Sequence, residues 1–174
     1  SPKEILFSTR DVTDRKKQEE KLLESEERFR TVFEQAAVGV ARVSADGFFQ
    51  ELNDKFCQIT GYDKNELYSM TFRDITYPDD LHLDEEYIVR VMKGEIDSFE
   101  IEKRYLHKQG HPVWIKLYSN VVRNVDRQIK YAVAVVIDIS KQKRIEEEQE
   151  TLQTQLVQAQ KMESIGTLAG GIAH

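Results

Sequence analysis

The chain has 174 residues, 40% hydrophobic and 32% charged, enough for one core of roughly 100 to 150 residues with extensions. A formal charge of −6, with basic runs such as Arg15 to Lys17 interrupted by acids, argues against nucleic acid, because phosphate contacts need a clustered basic face. The longest apolar run, Tyr131 to Ile137, falls far short of the roughly 20 residues of a membrane span, and the lone Cys57 excludes an internal disulfide and fits a reducing, cytoplasmic compartment.

The chain starts Ser-Pro, as expected of a piece of a longer protein, whose parent could be membrane-attached elsewhere. Residues 14–27 are charge-dense and free of Gly and Pro, which predicts a solvated helix. Val38 to Val43 is rich in β-formers, Asp46-Gly47 follows as a turn, and Phe48 to Leu52 completes a hairpin. Next, Asn53 opens a short helix that Gly61 ends. Pro78, Asp79 and Asp80 suit a first helical turn. That helix would bury Tyr87, Ile88, Val91 and Met92 and stop at Gly94. Three strands are predicted at 98–106, 112–122 and 130–139, the first two joined by His-Lys-Gln-Gly-His. Two strands, short helices, then three strands, with no strand-helix-strand alternation, give an α+β fold with an antiparallel sheet.

Read in order, NDKFCQITGY, Glu66-Leu67, Tyr77 to Asp80, Gly110 to Trp114 and the closing Asp138-Ile139-Ser140 resemble a PAS domain covering residues 28–140. The resemblance implies a five-stranded antiparallel sheet with short helices on one face, flanked by N- and C-terminal helices. Ser69 departs from the glycine many relatives carry after Glu-Leu. It also implies that Asp138 links the sheet to the exit helix, often through the strand tryptophan, here Trp114; the plainer alternative is N-capping by Asp138 or Ser140, worth about 1 kcal/mol. Asp11-Val12-Thr13 and Lys16 echo Asp138-Ile139-Ser140 and Lys143. Residues 1–13 are therefore expected to be the tail of a preceding PAS-like domain.

The exit helix, 141–160, spaces Ile145, Leu152, Leu156 and Ala159 as in a parallel dimeric coiled coil. In residues 161–174 the apolar stripe moves to Ile165, Ala169 and Ile172, displaced by about one residue, roughly 100°. At 100° per residue, His174 lies on the opposite side of that helix, beside Thr167, Gly170 and Gly171. Geometry alone allows either a surface histidine on a fraying helix end or a histidine given open space. The string MESIGTLAGGIAH resembles the first part of the H-box of the phosphotransfer domain of bacterial and archaeal-type sensor histidine kinases. By that resemblance His174 is the phosphoacceptor, ATP is used by a domain outside this chain, and a response regulator takes the phosphate. A homodimer through the flanking helices, with no nucleic acid and no membrane in this segment, is expected.

PAS relatives bind haem, flavin, small acids or nothing, and both haem and flavin are disfavoured here. The reactive cysteine of flavin-binding relatives has no counterpart in Asn65 to Arg73. Cys57, on the preceding helix, reads as a small buried hydrophobe. The haem-ligand position three residues before Tyr87 is Asp84, and His82 lies about 200° around the helix from it. His107 and His111 flank a turn as solvated residues, since two histidines alone make a weak metal site. No metal and no cofactor is expected, and no phosphate-cradling loop is present. Two functions remain open: a sensory and dimerisation module, or a ligand-free coupler passing on the signal of an upstream domain.

Overall fold

The computed structural model describes the backbone of residues 2–173 and the side chains of residues 12–173, so His174 lies outside the described residues. Helix α1 (Pro2–Gln35) leads into β1 (Gly39–Ser44) and β2 (Phe49–Leu52). Helices α2 (Asp54–Thr60), α3 (Lys64–Leu67) and α4 (Phe72–Ile75) follow, then a 3₁₀ turn at Pro78–Asp80 and α5 (Leu81–Met92). Strands β3 (Ser98–Leu106), β4 (Pro112–Arg123) and β5 (Ile129–Asp138) precede the long α6 (Ser140–Ile172). The sheet order is β2-β1-β5-β4-β3, all neighbours antiparallel. The hairpin brackets one edge and the three long strands complete the sheet, as the element order predicts.

Alternation along the strands sends one set of side chains under the short helices. Ala41, Phe49, Leu52, Ile101, Tyr105, Ile115, Leu117 and Val136 form the inner layer, and Phe56, Ile59, Leu67 and Ile75 pack on it from the helices. Asn53 organises the entrance to this layer. It is fully buried, and its Oδ1 accepts from the backbone N–H of Val40 (2.9 Å) and Phe56 (3.0 Å). Its Nδ2 donates to the carbonyl oxygens of Phe33 and Val38, both at 2.9 Å. One amide thus caps α2 and fastens it to α1 and β1. At the other end of α2, Gly61 adopts φ 78°, and the ring of His107 lies where any side chain would stand.

Several expectations need correction. The helix from Pro78 opens as a 3₁₀ turn rather than an α-turn. Met92, the last residue of α5, is 67% exposed instead of buried, because its neighbour Val91 takes the inward position of that turn. Cys57 is half-buried, packed at the margin of the core. Residues 10–13 and 14–35 all lie within α1.

Replacing Asn53 by alanine removes all four of these bonds from a buried position. Asn53→Ala is expected to lower unfolding free energy by about 3 kcal/mol, read as a shifted urea midpoint at unchanged slope.

Candidate functional site

Between α5, the β1–β2 hairpin, Phe72 at the start of α4 and the inner faces of β3, β4 and β5 lies a cavity of about 140 Å³. Its polar centre is an ion pair that strand and helix periodicity bring together. In β3 the inward positions are Ile101, Lys103 and Tyr105, so the alternation that buries Ile101 also buries a lysine. In α5 Asp84 shares a face with Ile88 and Val91, one and two turns on. The Lys103 ammonium donates to Asp84 Oδ2 and to Thr76 Oγ1, at 2.5 and 2.9 Å. The side chains of Lys103 and Asp84 are 1% and 5% exposed. Burial pushes the Lys103 ammonium below the usual lysine range, and the Asp84 carboxylate opposes that shift. The Tyr105 and Phe72 rings flank the ammonium, their centroids 5.1 and 6.0 Å from Nζ.

A second assembly ties α5 to the exit helix. Immediately before α5, Asp80 accepts from the Arg104 backbone N–H (2.7 Å), Nε (3.0 Å) and Nη2 (2.6 Å). These bonds hold the Asp80 carboxyl below the usual carboxylate range. The Tyr77 N–H donates to the Arg104 carbonyl oxygen at 2.9 Å, and Thr76 bridges Tyr105, so this segment covers the free edge of β3. The Arg104 guanidinium lies 4.3 Å from the Tyr77 ring centroid and 5.5 Å from that of Trp114, its cross-strand partner. On the same indole rests Lys143 of α6, at 5.4 Å, itself paired with Glu102 at 2.7 Å.

The predicted coupling residues meet at the start of α6, though by a different route. Asp138 Oδ1 accepts from the Ser140 N–H (2.9 Å) and no bond joins it to the Trp114 indole. The link to β4 runs through Ser140, whose Oγ accepts from the Trp114 N–H at 3.1 Å, and through Ile139, whose N–H donates to the Trp114 carbonyl oxygen at 2.9 Å. Sequence reasoning missed Lys103, Asp84's role beside it, Arg104 and Lys143. A lysine at an inward position of an alternating strand was the readable signal for the first.

Other candidates lie apart from the cavity. His82 is exposed, with Nδ1 2.7 Å from the Asp79 carbonyl oxygen. The His107 and His111 rings stack at 4.3 Å across their turn, and burial, then His111, lowers the His107 pKa. Among the described residues no group of three or more His, Cys, Asp or Glu side chains could hold a metal. Burial raises the Cys57 thiol pKa. Asp84, at the position the resemblance reserves for a haem-ligating histidine, is engaged by Lys103. The cavity volume of about 140 Å³ is also below the roughly 300 Å³ at which pockets for drug-sized ligands begin. No helix of the described residues is long and apolar enough to cross a membrane.

The protein-family profile for the PAS fold matches residues 50–136. The chain is 35% identical over 143 residues to a probable diguanylate cyclase, DgcE, of Escherichia coli strain K12, covering 82% of this chain and 13% of the relative. It is 25% identical over 153 residues to the sensor histidine kinase TmoS of Ectopseudomonas mendocina, covering 88% of this chain and 16% of the relative. The chain therefore spans less than a fifth of either relative's length. A crystallised PAS domain from Colwellia psychrerythraea superposes with a TM-score of 0.60 at 20% identity, over 66% of this chain and 97% of that one.

Removing one partner of the buried pair should cost more than removing both. Asp84→Ala strands the Lys103 charge and is expected to destabilise by about 3–5 kcal/mol, whereas the Asp84→Leu, Lys103→Met double variant should recover most of that loss. Chemical denaturation of the three chains measures it. Additive losses would mean that the two charges do not depend on one another.

Proposed function

The chain belongs to the PAS-fold family, and from that premise we propose that it is the sensory and dimerisation module of a two-component sensor histidine kinase. In this reading the state of the cavity passes through α6 to control phosphorylation of His174 by an ATP-binding domain elsewhere in the protein. A response regulator then takes the phosphate.

One observation carries the reading. Helix α6 begins at a residue bonded to the sheet through Trp114 and continues without a break to Ile172, through the phosphotransfer-like string. A rotation imposed at Ser140 reaches the end of such a helix as a rotation. Asp138, Ser140 and Trp114 are the proposed coupling residues, joined by Arg104 and Lys143. The apolar side chains of Ile145, Leu152, Leu156, Ile165 and Ile172 are exposed along α6, which supports pairing with a second copy, since a solitary helix with an apolar stripe is marginal in water. The proposal gives haem and flavin no role.

The 35% identity to a diguanylate cyclase favours a second output class. The two part at His174, because phosphotransfer requires a side-chain acceptor there and nucleotide cyclisation does not. The cavity, with its polar wall, favours a sensor over a ligand-free coupler.

Full-length protein incubated with γ-labelled ATP should carry acid-labile, alkali-stable phosphate, and His174→Gln should abolish it. Label persisting in that variant would overturn the assignment. Seven residues inserted between Lys141 and Gln155 should preserve regulation, since a heptad restores the seam, whereas one or two should lock output high or low. Equal, regulated labelling in all three would defeat transmission by helix phase.

A further inference from the structure

The cavity wall holds more hydrogen-bonding capacity than the fold uses. Tyr105 is 2% exposed and Ser119 7%, both line the cavity, and neither hydroxyl has a partner among the described residues. Among the described residues every fully sealed side-chain nitrogen or oxygen has a partner, so these two hydroxyls are not sealed, and both residues line the cavity. Both bonds received by the Asp84 carboxylate go to Oδ2, which leaves Oδ1 open. Of the three N–H donors on Lys103, two are engaged. The spare groups of Asp84, Lys103 and Tyr105 come from α5 and neighbouring inward positions of β3, whereas Ser119 lines the cavity farther along the sheet, opposite Phe99.

We propose that this cavity binds an uncharged single-ring molecule bearing one group that both donates and accepts hydrogen bonds, such as a hydroxyl or a carboxamide. The inference rests on the sensory reading and names the class of molecule that the sensor takes. Charge decides the first point. Lys103 and Asp84 neutralise one another inside, and the other charged residues of the lining, Asp46 and Arg73, are exposed and opposite in sign, so a charged molecule would enter a chamber with no unpaired buried counter-ion. Size decides the second: about 140 Å³ is close to the cavity of about 150 Å³ that admits benzene in an engineered protein. Composition decides the third. Phe49, Phe72, Phe99, Val91 and Leu117 supply apolar walls for the ring, while the open Asp84 oxygen, the spare Lys103 donor and the Tyr105 hydroxyl supply polar groups on the α5 and β3 side. A hydroxyl there donates to Asp84 Oδ1 and accepts from Lys103 or Tyr105.

Titration calorimetry of this chain with phenol, benzene and benzoate tests the three points together. Phenol should bind, with benzene and benzoate each at least about tenfold weaker, the scale of one or two lost hydrogen bonds. Tyr105→Phe, checked for folding by circular dichroism, should lower the phenol preference over benzene by about three- to tenfold. Benzoate binding as tightly as phenol would overturn the uncharged class. Benzene matching phenol, or Tyr105→Phe keeping the preference, would overturn polar recognition, and no binding of any of the three to the folded chain would overturn the site. Phenol binding that leaves phosphorylation of the full-length protein unchanged would support the ligand class and overturn the sensory reading instead.

Discussion

A lysine ammonium shut inside an apolar layer must be met by a counter-charge, and much of this domain is arranged around that requirement. Lys103 belongs to an edge strand and Asp84 to a helix, so their pairing fixes how α5 lies over the sheet. Thr76 completes the contact by accepting from Lys103 just after α4. Removing either charge exposes the other to a medium that cannot solvate it, which is costlier than the pair's own weak net contribution. The same pair places polar groups at the wall of the adjoining cavity. In the proposed reading, stability and ligand preference issue from one constraint.

The pair is also close to the machinery that reaches the exit helix. Asp80, one turn before Asp84, grips Arg104, the residue after Lys103. Along β3, successive side chains point to opposite faces, so Lys103 reads the cavity while Arg104 stacks on Trp114 outside it. Lys143 lies over the same indole. In the proposed coupling, a shift of α5 over the cavity would be felt on the outer face of the sheet, within one side chain of α6. The bonds of Ser140 and Ile139 to the Trp114 backbone make the start of that helix an extension of β4.

Most of the architecture was legible because local signals agreed with the global fold. Asn53 and Gly61 bound α2 as an N-cap and a left-handed C-cap, the hairpin turn fell at Asp46-Gly47, and the three long strands differ from expectation by a residue or so at their ends. The site was less legible, since periodicity says that position 103 points inward but not what it meets there. That information lies in tertiary pairing with a residue nineteen positions away. The sequence offers Asp84 only as a missing haem ligand, and helical spacing places Met92 in the core although Val91 beside it takes the inward position. The indole of Trp114 was expected to meet Asp138, whereas cross-strand register gives it Arg104.

The central claim is that the state of the buried pair is read out by α6. Nitroxide labels at Asp126, in the β4–β5 turn, and at Gln158, on α6, both exposed, report that geometry within one chain. Pulsed electron paramagnetic resonance on wild type and on the folded Asp84→Leu, Lys103→Met variant compares the two states. The account predicts a distance distribution moved by about 1–2 Å or split into a second population, the scale of helix shifts in switching proteins. Superimposable distributions from the two chains would contradict it.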